Sequence, residues 1–402
     1  MAENAPAQAT PPAEASRESL GTLLLTGASG WLGTRLLGVL LREGVEPLGL
    51  PRWDALRILL QPHDPAPDLS LAPAGQGRRV SVVRGDLRDP ATRAELCRGA
   101  SGGTLIHTAG VIHPRRVRDF MTVNTQATEH LLEEAIRADV RRAVVVSSNS
   151  PLGCNPSPEH RFTERSEFNP YMGYGRSKML MEQAVQRVQQ TGRLETVILR
   201  PPWFYGPYQP PRQTLFFEMI RDGRAPIVGS GDNMRSMVYI DNLCQGVLLA
   251  ALVPHANGKV YWIADREAYS MNQIIDTVAR LLEHEFGFKV RHGRLRLPNV
   301  AGELATWLDG AAQRVGLYLQ KLHVLGEMNK SIACSIDRAE AELGYAPQFA
   351  LEEGMRRSIQ YCVDQGLLSP ASPSSAVSPS SAAAQVARSS AVPPPPPPAP
   401  ER

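Results

Sequence analysis

The chain has 402 residues, a formal charge of +3 and five scattered cysteines. A balance so close to neutral gives no general drive toward nucleic acid, and no window nears the roughly 18 apolar residues that a spanning helix needs. Cys97, Cys154, Cys244, Cys334 and Cys362 form no CxxC pair and the nine histidines show no ligand spacing, so a reducing compartment without a metal site is expected.

Residues 1–19 and 369–402 are rich in Ala, Pro, Glu and Ser, the latter closing on the run Pro393–Pro398. Such segments cannot bury enough apolar surface to offset their ordering entropy, and both are expected to be disordered tails. The N-terminus lacks a basic stretch followed by an apolar one, so a cytoplasmic location is the default.

Between the tails, Thr22–Thr26 reads as a strand, Gly27-Ala-Ser-Gly30-Trp-Leu-Gly33 as a glycine loop, and Thr34–Arg42 as a helix. Strand, glycine loop, helix is the order that sets backbone N–H groups and a helix N-terminus against a pyrophosphate. The alternation continues through strands Val80–Val83, Gly103–Ile106, Ala143–Val146 and Thr196–Leu199, and helices Ala91–Arg98, Thr125–Ala138 and Tyr174–Gln190. This rhythm predicts an α/β fold of Rossmann type, a doubly wound parallel sheet with ligands at the C-terminal strand ends. Gly27, Asp86, Thr108, Ser148 and Arg200 all fall there.

Beyond residue 208 the rhythm loosens. Gln213–Asp222 reads as a helix, Ser236–Leu243 passes from strand to helix, Val260–Ile263 is a strand, and residues 272–286 and 300–325 are amphipathic helices. The expected organisation is a dinucleotide-binding domain at 20–208 and a smaller, interleaved C-terminal substrate lobe at 209–368.

Tyr174-Gly-Arg-Ser-Lys178 opens a helix, placing Tyr174 and Lys178 four apart on one face. A phenol near pKa 10 is a poor acid or base at neutral pH, but a neighbouring ammonium favours phenolate. Ser148, at the end of the preceding strand, is placed to donate to the same substrate oxygen. A carbonyl held by Ser148 and Tyr174 beside a nicotinamide is ready for hydride transfer. The bland alternative, packing for Tyr174 and solvation for Lys178, is weakened by the glycine loop upstream.

At these residues the sequence resembles the extended short-chain dehydrogenase/reductase family, also called the NAD-dependent epimerase/dehydratase family. The stretches that carry the resemblance include Thr26–Gly33, Gly85-Asp-Leu87, His107-Thr-Ala-Gly110, Ser147-Ser148, Tyr174–Lys178 and Arg200-Pro-Pro-Trp-Phe-Tyr-Gly206. They run in family order over residues 21–367. The resemblance implies that Gly27, Ser29, Gly30, Trp31, Leu32 and Gly33 hold a pyrophosphate and that Asp86 and Leu87 meet adenine. It also implies that Thr108, Ala109 and Pro201 line the cofactor path. Tyr174 would be the acid/base, Lys178 the ribose ligand that lowers its pKa, and Ser148 the second hydroxyl, with Ser150 a weaker candidate. Asn124 matches a position with two readings, helix geometry or a proton relay. A homodimer is also implied.

Two departures bear on specificity. The resemblance puts an acidic residue at the end of the second strand in NAD-preferring members. The aligned stretch Gly44–Arg52 offers Pro51 and Arg52 instead, which favours NADP(H) over NAD(H) unless the register is shifted and Arg52 points to solvent. The position after Arg200 that usually carries Asn in nucleotide-sugar enzymes is Trp203, a pattern nearest the 3β-hydroxysteroid dehydrogenase-like branch. Trp203 and Phe204 then line an apolar pocket or belong to the core. Arg235, by contrast, sits where nucleotide-sugar enzymes place a pyrophosphate-binding arginine.

The amphipathic segment Val300–Val324 is expected to pack, with capping of the substrate cavity or peripheral membrane contact as alternatives. The expected activity is an NAD(P)-dependent oxidoreductase acting on a ketone or secondary alcohol of a mainly apolar small molecule. A nucleotide-sugar epimerase or dehydratase with tightly bound NAD is the alternative, and a non-catalytic dinucleotide-binding scaffold is a third reading.

Overall fold

Arg142–Val146 is buried at every residue, the signature of a strand covered on both faces. It is the fifth strand, β5, of a seven-stranded sheet in a computed structural model that describes residues 19–65, 67 and 79–368. The others are β1 (Thr22–Thr26), β2 (Ala55–Leu60), β3 (Arg79–Arg84), β4 (Thr104–His107), β6 (Glu195–Arg200) and β10 (Lys259–Trp262). The order is β10-β6-β5-β4-β1-β2-β3, and every pair is parallel. The chain order reverses beside β1, the position at which a doubly wound sheet opens a crevice for a ligand. The expected Rossmann-type sheet is present.

The connecting helices are α1 (Trp31–Gly38), α2 (Pro90–Cys97), α3 (Thr128–Arg137) and α4 (Met172–Gln190). Asp89 caps α2, accepting from the Ala91 N–H, with Pro90 at the first helical position. Two helices depart from expectation by widening. α1 begins at Trp31 and passes into a π turn over Val39–Glu43, and a π stretch over Phe120–Ala127 precedes α3.

After β6 come β7 (Trp203–Tyr205), α5 (Pro211–Arg221), β8 (Pro226–Val228), β9 (Met234–Tyr239) and α6 (Ile240–Leu252). α6 is buried on every residue, and β10 then rejoins the main sheet. Arg142 seals the C-terminal end of α6: its guanidinium donates to the carbonyls of Ala250, Ala251, Val253 and Pro254. The remaining elements are β11 (Ala268–Ser270), α7 (Met271–His284), β12 (Leu295–Leu297), α8 (Asn299–Arg314), α9 (Gln320–Glu327), α10 (Asp337–Leu343) and α11 (Leu351–Asp364). Ser270 and Gln273 close a reciprocal capping box at the start of α7. β7, β9 and β11 form a second sheet, and β8 pairs with β12.

The second strand lies later than the sequence suggested. Residues 44–51 form a tight loop in which Val45 and Gly49 exchange backbone hydrogen bonds at 3.1 and 2.8 Å. The strand is Ala55–Leu60, so Pro51 and Arg52 precede it. Arg52 bridges to Ser19 at the N-terminal edge of the sheet, about 20 Å from the glycine loop by the length of a six-residue strand. The expected tails fall outside the described residues, Ser19 excepted.

Candidate active site

The site is built at the C-terminal ends of β1, β4, β5 and β6. Gly27 has φ +74°, and a Cβ there would lie 2.6 Å from both Ala109 N and Thr108 Oγ1. A Cβ on Gly33 would lie 2.0 Å from the Gly27 carbonyl, so α1 touches the loop only because that residue has no side chain. Gly30 is the N-cap of α1 and supplies no side-chain cap. The first-turn N–H groups of Trp31, Leu32 and Gly33 therefore face an anion position. A dinucleotide pyrophosphate fits this cradle.

The flanks of the cradle are fixed by hydrogen bonds. Thr108 Oγ1 donates to Thr26 O at 2.8 Å, and Ala109 N donates to Thr26 Oγ1 at 3.4 Å. His107 bridges Thr26 and Thr128 at 2.7 and 2.8 Å, and burial pushes its pKa down to about 3, which keeps the ring neutral. The indole N–H of Trp31 donates to Pro207 O at 2.6 Å, and its ring lies 4.8 Å from that of Phe204.

Beside the glycine loop, Asp64 is the acidic residue that follows β2. Its carboxylate accepts from Ser29 Oγ at 2.6 Å and from Gln61 N at 2.9 Å. Arg84 donates to the carbonyls of Gln61, Pro62 and Asp64 and so holds that turn in place. Asp86 is half-exposed and paired with Arg88 at 2.5 Å, which holds its carboxyl below the usual range. Leu87 is buried, and its carbonyl accepts from Arg93 at 2.8 Å.

At the end of β5 and the start of α4, Ser148 lies close enough to Tyr174 to act on its phenol, and Ser148 Oγ is also 3.3 Å from Asn149 Oδ1. Ser150 Oγ is 3.2 Å from Ser148 Oγ. Burial pushes Tyr174 up to about 12, while Ser148 and the charge of Arg212 pull it back. Lys178 is buried and donates from Nζ to Val146 O at 3.0 Å, and burial lowers its pKa to about 8. Beneath them Arg200 and Glu182 form a buried ion pair at 2.6 Å, and Ser147 Oγ donates to Glu182 at 2.5 Å. Pro201, also buried, follows β6 directly.

Asn124 ties the loop after β4 to α4. Its carboxamide accepts from Val111 N at 2.8 Å and donates to Val111 O and Ser177 Oγ at 3.0 and 3.1 Å. Both N–H groups are occupied by these partners. Trp203 packs edge-on to Phe216 at 5.8 Å on the core side. Arg235 donates to the Glu327 carbonyl and leaves its buried Nε without a partner. Trp203 and Arg235 belong to neighbouring strands of the second sheet.

Several groups were not singled out from the sequence. Phe120 lies 5.8 Å from the Tyr174 ring and 5.5 Å from Tyr318, while His113 Nδ1 is 2.7 Å from Tyr318 Oη. Arg212, exposed at the start of α5, is near enough for its charge to act on Tyr174 and Tyr318 and has no carboxylate partner among the described residues. These groups come from three separated segments, so no local spacing could announce them; Asp64 was hidden by the misplaced second strand.

The model of the NAD dependent epimerase/dehydratase family matches residues 23–264. The chain belongs to that family. It is 48% identical over 351 residues to the uncharacterized protein y4nL of Sinorhizobium fredii, covering 86% of this chain and 96% of the relative. It is 29% identical over 368 residues to a 3 beta-hydroxysteroid dehydrogenase/Delta 5-->4-isomerase of Mycobacterium tuberculosis, covering 86% and 91%. Among solved structures, the dTDP-glucose 4,6-dehydratase DesIV of Streptomyces venezuelae with NAD and TYD bound aligns with TM-score 0.63 and 25% identity. That alignment covers 87% of this chain and 99% of DesIV. No helix among the described residues is long and apolar enough to cross a membrane.

Proposed function

We propose that the protein is an NAD-dependent oxidoreductase of the epimerase type, acting at a secondary alcohol of a substrate that carries an anionic group such as a nucleoside diphosphate. The observation that carries this reading is Arg212, an exposed guanidinium whose charge reaches Tyr174 and which has no carboxylate partner among the described residues. Arg235, with a buried unpartnered Nε, adds a second cation on the substrate side. Two such groups suit a diphosphate better than a sterol. DesIV, bound to NAD and TYD, supports the same class.

The cofactor reading moves from NADP(H) to NAD. Arg52, which favoured a 2′-phosphate, lies at the opposite edge of the sheet. Asp64 stands beside the glycine loop, where its carboxylate would accept from ribose hydroxyls and repel a 2′-phosphate. When bound, the nicotinamide supplies the hydride acceptor and donor. Tyr174 would exchange the proton on the substrate oxygen, and Ser148 would hold that oxygen within reach of the phenol. The charge of Arg212 would favour phenolate during oxidation, against the burial that raises the phenol. Lys178 would hold the ribose from its place on the Val146 carbonyl.

Dehydration would require a further base to remove a carbon-bound proton. The strand end beside Tyr174 carries Ser148, Asn149 and Ser150, none of them a carboxylate, which favours simple redox over dehydration. A reductase of apolar ketones is the second reading, favoured by Phe120 and Tyr318 around Tyr174 and by the 29% identical hydroxysteroid dehydrogenase. Calorimetric titration with UDP and dTDP separates the two. The epimerase reading expects binding that weakens about tenfold or more in Arg212→Ala, the loss of one charge-assisted contact. Absent binding of either nucleotide, with turnover of a sterol ketone, would overturn it.

A further inference from the structure

α8 is built inside out. At 100° per residue, Val300, Leu304, Trp307, Leu308, Ala311 and Val315 fall within an arc of about 100°, the width of an apolar stripe that normally faces a core. Here that arc faces solvent: Val300 is 71% exposed, Leu304 54%, Trp307 68% and Val315 74%. The opposite face, with Gly302, Ala305 and Asp309, is the one buried in the protein. Its contacts are small and polar. Gln313 accepts from Gly173 N at 3.0 Å and donates to Asp309, whose carboxylate also meets His323 at 2.8 Å, and Thr306 Oγ1 donates to the Gly302 and Gly326 carbonyls.

The stripe continues past the helix in Leu317 and Leu319, both exposed. It exceeds the single scattered apolar side chains that a soluble surface normally shows. Exposed cations stand at both ends: Arg296 before the helix, Arg314 in its last turn and Lys321 just beyond. None of the three has a carboxylate partner among the described residues. The flanking Glu303 is neutralised by Lys330.

We propose that α8 seats this protein on an anionic lipid surface, with Leu304, Trp307 and Leu308 entering the headgroup boundary and Arg296, Arg314 and Lys321 meeting lipid phosphates. The charge pattern selects this occupant over a second copy of the chain. A two-fold contact through the stripe brings the cationic ends against cationic ends in either orientation, whereas anionic headgroups complement them. Trp307 at the centre of the stripe suits the interface, where one end of a side chain is apolar and the other wet. The seating needs no spanning segment, and it is independent of which substrate the site takes.

The test is co-sedimentation of the full chain with phosphatidylcholine vesicles, with and without phosphatidylglycerol, alongside sedimentation velocity in buffer. The proposal expects binding to the phosphatidylglycerol vesicles that falls about tenfold in Leu304→Ser/Trp307→Ser/Leu308→Ser and several-fold in Arg314→Glu/Lys321→Glu, the usual dependence on apolar area and charge. Trp307 emission shifts to the blue on binding. Protein that stays in the supernatant, or binding that the triple variant retains, overturns the proposal. So does a dimer in buffer that the triple variant converts to monomer, because a second copy then covers the face.

Discussion

The half of the molecule that carries β1 to β6 and the region around α8 follow opposite rules of packing. In the first, apolar residues point inward and buried polar groups are partnered: Arg200 with Glu182, Arg142 with Glu195 and a ring of carbonyls, neutral His107 between two threonines. In the second, small and polar groups are inside and Leu304, Trp307 and Val315 are outside. Water alone accounts for the first arrangement through the hydrophobic effect. It does not account for the second, which is stable only because the inward face finds hydrogen bonds on Tyr171–Gly173 and α9. The helix that carries Tyr174 and Lys178 is thus held from below by a paired core and from above by a polar seam.

Substitutions can break this contrast, in order of expected effect. Tyr174→Phe removes the phenol beside Ser148 and is expected to lower turnover by about 10²–10⁴-fold, the range for a general acid/base, with NAD affinity preserved. Equal turnover in the variant, measured by stopped-flow absorbance, would remove Tyr174 from the chemistry. Glu182→Gln leaves the Arg200 guanidinium buried without its counter-ion and is expected to cost about 3–5 kcal/mol, read as a fall in denaturant midpoint. A change within the noise would mean that water reaches the pair.

Asp64→Ser is expected to shift the ratio of NADP to NAD affinity toward NADP by about tenfold, as one like charge near the 2′ position is removed. Titrating the variant with both nucleotides checks it. For Lys178 the sign follows from burial, which lowers its pKa from 10.5 to about 8 in the folded chain. Its ammonium is therefore lost as pH rises through about 8. NADH affinity, followed by fluorescence, should fall above that pH in the native protein and stay flat in Lys178→Met. The smallest effect is expected on the other side of the comparison. Trp307→Ser should change stability in buffer by less than about 0.5 kcal/mol, because the indole is exposed. A large loss would place Trp307 in a packed core and end the contrast.

The sequence made much of the first region legible, because its signals are local. The glycine loop, the Tyr174 and Lys178 pair and the apolar runs of β1, β4, β5 and β6 each fit within a few residues, and they lie where the pattern put them. The second strand was misread because Gly44–Pro51 has the length and apolar content of a strand but closes on itself through Val45 and Gly49. That shift moved Arg52 into the cofactor argument and Asp64 out of it. Arg212, His113 and Tyr318 were illegible for a different reason: they converge on Tyr174 only through tertiary packing. In α8 the period was readable but its direction was not. An apolar stripe reports a face, and only the fold says whether that face meets protein.

The most direct test of the NAD-dependent site is the nucleotide released when the purified protein is denatured, identified by mass and followed by titration with NADH and NADPH. Bound NAD(H), with NADH preferred over NADPH in the emptied protein, is the predicted result. NADP(H) in the released fraction, with NADPH bound more tightly, would contradict the role given to Asp64.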